Sequence, residues 1–181
     1  VKGVADANGV LVAHKIAFQE VSDVRIVAQL DQFSPYGDME LLGVKVQTTG
    51  TTVYQDMSAL KLRDFGLMDL AVGNWLDVRG YEEPAGSGRV TATHVVRIDP
   101  ADQVRLRGPF RDAAPPSFDI LTVLVTTSDA TRFVLEGLEE STRITAAEFF
   151  SQAPGELVEA WGSWSAPVLS AQRVEIKLSE D

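Results

Sequence analysis

Two histidines, His14 and His94, are the side chains of this chain best suited to proton transfer near neutral pH. They fall one place apart in two copies of one strand pattern, so alternation sends them to opposite faces. Neither has a carboxylate at a fixed short spacing, and each reads as a solvated strand residue. Serine chemistry needs a nucleophile beside a base and an orienting group. The Gly-x-Ser-x-Gly elbow is absent. Gly86-Ser87-Gly88 and Gly162-Ser163-Trp164-Ser165 read as turns, where serine is a natural former. Carboxylates offer hard oxygen ligands at Asp64, Asp69 and Asp77, and at Glu136, Glu139 and Glu140. None of these strings has the spacing of a calcium-binding loop, and Glu139-Glu140 reads as a solvated loop. With no cysteine, thiolate zinc sites, thiol nucleophiles and disulfides are excluded. The residues therefore point to no catalytic group, no metal and no cofactor.

Aromatic side chains are the remaining chemistry. Phe33, Tyr36, Tyr81, Trp161 and Trp164 are the candidate ligand-binding residues, since aromatics on exposed loops stack on sugar rings or bases. A competing reading has Phe33 and Tyr36 closing one end of the fold, with Trp161 and Trp164 packing between modules.

The elements that carry them repeat. Val78-Arg79-Gly80 through Ala92-Thr93-His94-Val95 matches Val1-Lys2-Gly3 through Ala13-His14-Lys15-Ile16, and again Ala160-Trp161-Gly162 through Ala171-Gln172-Arg173-Val174. Upstream, Leu41-Leu42-x-Val44-x-Val46 matches Ile120-Leu121-x-Val123-x-Val125, and Gly73 matches Gly155. The offset, about 80 residues by subtraction of these positions, gives a terminal hairpin of a truncated preceding repeat over 1–20 and two full units over 21–100 and 101–181. Asn8-Gly9 supplies the hairpin's tight turn. A lone hairpin is marginal in water, so it is expected to dock on the next unit or to self-associate with another chain.

Within the first unit, Val24, Ile26 and Leu30 mark a first strand, and Phe33 to Asp38 is turn chemistry. Leu42, Val44 and Val46 alternate as a second strand, and Thr51 to Tyr54 is a third. Asp64 is placed to cap a short helical turn running to Leu70; in the second unit Thr145 and Glu148 form a capping box before Phe149-Phe150. Residues 75–81 and 90–98 are the fourth and fifth strands. Three strands, a short helix and two strands is the order of an all-β, five-stranded OB-like barrel. Such barrels bind polymers on the face of strands two and three and on the flanking loops. Here those loops carry Phe33 and Tyr36, and Glu82 to Gly88; in the second unit they span 113–118 and 161–167.

The string Val72-Gly73-Asn74-Trp75-Leu76-Asp77-Val78-Arg79-Gly80-Tyr81, followed by Val90-Thr91-Ala92-Thr93-His94-Val95, resembles the signature of the bacterial domain of unknown function family numbered 5666. Val1 to Ile16 is similar to its second half. The resemblance implies tandem small β-barrels in exported bacterial proteins, hence an extracytoplasmic location: periplasmic, lipoprotein-anchored or secreted. It implies no activity and no catalytic residue.

Charge narrows the partners. The chain has 26 acidic and 16 basic residues, a net of -10. By segment the net is zero over 1–20, -4 over 21–100 (7 basic, 11 acidic) and -6 over 101–181 (7 basic, 13 acidic). Nucleic acid would meet repulsion, and no apolar run is long enough to span a membrane. The expectation is a non-enzymatic tandem β-module of a larger exported protein, a structural spacer or a protein-interaction array. The alternative is a module that binds an extended polymer, carbohydrate before nucleic acid.

Overall fold

The computed structural model describes residues 2–5, 11–15, 22–137 and 141–177. It is mostly β. Strands β1 (Lys2–Ala5) and β2 (Leu11–Lys15) form an antiparallel pair of their own. The expected Asn8-Gly9 turn lies outside the described residues.

The first unit holds β3 (Val24–Gln29), β4 (Gln32–Phe33), β5 (Asp38–Leu41), β6 (Val44–Asp56), β7 (Trp75–Glu82) and β8 (Val90–Ile98). Val24, Ile26, Ala28 and Leu30 point into the core, as their alternation requires. β3 pairs with β7, β7 with β8, β8 in parallel with β6, β6 with β5, and β5 with β4. β4 continues the run begun by β3, and the Asp31 N–H donates to the Glu40 carbonyl at 2.9 Å. The path of pairings thus returns to the run it left.

The second unit repeats this with β9 (Val104–Ala114), β10 (Ser117–Ile120), β11 (Val123–Thr126), β12 (Arg132–Leu135), β13 (Thr142–Ile144), α1 (Ala146–Gln152), β14 (Leu157–Ser165) and β15 (Val168–Lys177). β9 pairs with β10 and β14, β10 with β11, β14 with β15, and β15 in parallel with both β11 and β12. β13 adds to the outer edge of β12.

The second strand differs from expectation. Asp38–Leu41 is β5, and Leu42-Gly43 is the two-residue turn into β6, with φ of +54° and +73°. Leu121 takes the matching conformation at +58°. Leucine rarely adopts positive φ, and Leu42 is buried like a strand residue, so the apolar alternation runs unbroken through the turn. The helical turn also differs. Asp64 does not cap it; a 3-10 turn spans Leu67–Asp69, with Asp69 Oδ2 accepting from the Gly66 N–H at 2.9 Å. In the second unit the capping box forms as expected: Thr145 Oγ1 accepts from the Glu148 N–H and Glu148 Oε2 from the Thr145 N–H.

One feature recurs three times. Gly3, Gly80 and Gly162 each follow a register shift and face Ala13, Ala92 and Ala171. At Gly80 and Gly162 a methyl group would overlap the carbonyl of Thr91 or Ser170 across the ladder. Glycine is required there by close backbone approach.

The units differ at the floor of the core. In the first, Asp56 and Arg97 are direct ladder partners and both are buried. Arg97 donates through Nε at 3.1 Å and Nη2 at 2.6 Å, and its guanidinium lies 4.6 Å from the Phe65 ring centroid. Asp56 also accepts from the N–H groups of Ser58 and Leu62, holding the turn between them. In the second unit the same ladder positions are Leu135 and Ile176. There, Phe110, Phe118, Phe133, Phe149 and Phe150 pack with ring centroids 5.0 to 6.3 Å apart in neighbouring pairs.

The units are joined side by side. β3 and β9 pair antiparallel, with Ile26 opposite Leu106 at the centre, so one sheet runs through both. Arg111 of the second unit forks onto Glu82 of the first at 2.9 and 2.6 Å. The buried residues of both units form one contiguous cluster.

Candidate functional site

The β4–β5–β6 face and the β7–β8 loop of the first unit enclose an open groove of about 620 Å³. Met39, Val46 and Val90 point inward, so their neighbours point into the groove. Two cross-strand rows result: Gln32, Glu40 and Lys45, and Asp38, Gln47 and Thr91. Phe33 lies at the edge, half-buried against the core. Among the described residues, the side chains of Gln32, Glu40, Lys45, Gln47 and Arg89 make no hydrogen bond to the protein, which leaves their donors and acceptors for a ligand.

Both rims are built. In the β4–β5 loop, the Ser34 hydroxyl accepts from the Tyr36 N–H and the Gly37 carbonyl accepts from the Thr48 N–H. In the β7–β8 loop, Glu82 Oε1 accepts from the Gly88 N–H at 2.6 Å while Arg111 holds the same carboxylate. Burial pushes the Glu82 pKa up, but the Arg111 and backbone hydrogen bonds outweigh it and hold it at about 2. The second unit has two-residue connections at these places, Pro115-Pro116 and Ala166-Pro167.

The five expected aromatics do not converge. Phe33 lines the groove. Tyr36 is 89% exposed at the loop tip, neither lining the groove nor closing an end of the fold. Tyr81 is part-exposed at the end of β7, outside the groove. Trp164 sits in a cleft between the units with Leu42 and Trp75, whereas Trp161 lies on the outer face of the junction, its ring against Arg105, Arg173 and Lys177 of its own unit. The polar rows on β5 and β6 are absent from the sequence reading. Their signal is the alternation of Asp38, Glu40, Lys45 and Gln47 with Met39, Leu41, Val44 and Val46. Placing the second strand at 42–47 hides it.

His94 is exposed, its Nδ1 3.1 Å from the Thr93 hydroxyl. Only the backbone of His14 is described. Asp77 is taken up by Arg25, and Glu139 and Glu140 lie outside the described residues. Among the described residues, no three His, Asp or Glu side chains are placed to hold a metal ion together, and no helix is long and apolar enough to cross a membrane.

The model of one family, the domain of unknown function DUF5666, matches twice, over residues 26–96 and 107–175. The chain belongs to DUF5666. Both matches begin within the first strand of a unit, β3 or β9, and end within its last, β8 or β15, so the chain is a tandem DUF5666 repeat. No curated protein matches the chain.

Proposed function

We propose that this DUF5666 chain is a non-enzymatic tandem module of a larger exported bacterial protein, acting as a spacer or protein-interaction array. Each unit, 21–100 and 101–181, is read as an OB-like barrel, supported by the return of its pairing path to the first strand. The observation that carries the reading is the β3–β9 ladder, reinforced by Glu82–Arg111, which sets the angle between units without relying on the 99–103 linker. The chain has no cysteine, so spin labels at Val53→Cys and Leu124→Cys, both exposed, report the inter-unit distance. A single narrow distance distribution is expected. A broad one overturns the rigid spacer.

A second reading rests on the groove. Its unpaired amides and charges beside Phe33 suit an extended polar polymer, a carbohydrate in preference to a nucleic acid given the net charge. A glycan and peptidoglycan-fragment array is the test. Binding lost in Phe33→Ala and retained in Tyr36→Ala supports it; the absence of any binding leaves the spacer reading alone.

A further inference from the structure

The outer face of β7, β3, β9 and β14 is built twice about the Ile26–Leu106 pair, and its two halves are not equally satisfied. In the first half Arg25 forks onto Asp77, Nε to Oδ1 at 2.9 Å and Nη2 to Oδ2 at 2.6 Å. In the second half the corresponding pair is Arg105 and Glu159. Arg105 Nε stands 3.5 Å from Glu159 Oε1, and the Arg105 guanidinium makes no hydrogen bond among the described residues. Glu159 is 3% exposed, and its Oε1 accepts no hydrogen bond. Its other oxygen faces Lys177 Nζ at 3.4 Å.

Arg105 is also crowded by cations. Its guanidinium and that of Arg173 each lie 5.0 Å from the Trp161 ring centroid. Burial lowers the Arg105 pKa, and Arg25 and Arg173 add to the effect against the pull of Glu159 and Asp77. The buried side-chain atoms without a partner among the described residues, Arg107 Nε, Arg173 Nε and Glu159 Oε1, all lie on this face. Six cations, Arg25, Arg79, Arg105, Arg107, Arg173 and Lys177, outnumber by one the carboxylates Asp77, Asp102, Glu136, Glu159 and Glu175, in a chain whose net charge is -10. A groove of about 560 Å³ opens here, lined by Arg25, Arg105 and Trp161 and by the carboxylates Asp77 and Asp102. Guanidinium donors left over beside a groove form charge-assisted hydrogen bonds with oxyanions.

We propose that this junction groove binds one oxyanionic group, a carboxylate, sulfate or phosphate, through the unpaired donors of Arg105, with Arg25 and Trp161 as its walls. The bound group supplies the acceptors that Glu159 leaves out of reach. The site is separate from the groove of the first unit and does not depend on that reading.

The test uses the full chain at constant ionic strength. Sodium sulfate and phosphate are titrated against chloride, and glucuronate and a hexaglutamate peptide form a second arm that separates a free anion from the carboxylate of a sugar or peptide. The Arg Nε–H resonances and the Trp161 indole resonance are followed by NMR. Saturable movement of Arg105 and Trp161 with at least one oxyanion is expected, weakened about ten-fold or more in Arg105→Gln. It is expected to persist in Arg79→Gln, whose guanidinium is half-exposed at the margin of the face. If Arg105→Gln does not fold, Arg105→Lys keeps the charge and loses the fork, and is expected to bind more weakly than the native chain. No saturable movement with any oxyanion, or equal affinity in the Arg105 variant, overturns the proposal.

Discussion

Asp56 and Arg97 stand where the second unit has Leu135 and Ile176, so one fold carries both solutions at one position. Removing one member of a buried ion pair strands the other charge, whereas replacing both with apolar groups is close to neutral. Arg97→Ile is therefore expected to lower Tm by several degrees, and Asp56→Leu with Arg97→Ile to recover part of that loss. Recovery stays partial because Asp56 also holds the Ser58 and Leu62 N–H groups. Thermal unfolding of the single and double variants decides this. Gly162→Ala forces a methyl onto the Ser170 carbonyl. Its cost is expected at the upper end of the about 1–3 kcal/mol typical of overpacking, a Tm loss of roughly 2–4 °C per kcal/mol in a chain of this size.

At the scale of elements, the strand-to-helix order, the capping box and the glycine positions were legible because each has a local cause. Thr145 and Glu148 satisfy helix donors from three residues apart, so the motif declares itself. Thr145→Ala is expected to cost about 1 kcal/mol, measurable by denaturant titration. What was not legible depended on backbone conformation. Leu42 at positive φ looks like any buried leucine, and that one residue shifted the second strand and hid the polar rows of the groove. Tyr36 illustrates the converse. Its type suggested stacking, but the Ser34–Asp38 turn holds it at the tip of the loop, away from the groove.

At the scale of the whole molecule, Glu82–Arg111 at the junction and Asp56–Arg97 inside the first unit make stability depend on acid. Glu82 is held at about 2 and Asp56 well below the usual carboxylate range by its bonds to Arg97. A carboxyl depressed in the native state contributes stability that is complete above its unfolded value, about 4. That contribution is lost as pH falls toward the native value. Tm is expected to hold from pH 7 to about 5 and then fall toward pH 2, less steeply in Glu82→Gln. Calorimetry across that range tests the sign. Removing residues 1–18 is expected to change Tm or the association state; sedimentation and unfolding curves identical to those of the full chain would refute docking of the hairpin.

The antiparallel pairing of β3 with β9 also limits how copies of this module can be strung together. Over Arg25–Val27, β3 has β7 along one edge and β9 along the other, so both rows of its backbone groups are spoken for. A third copy cannot attach there by the same handshake. Whatever steadies β1 and β2 must use another surface, and a longer string of these modules would be assembled as couples facing each other, not as an evenly stepped rod.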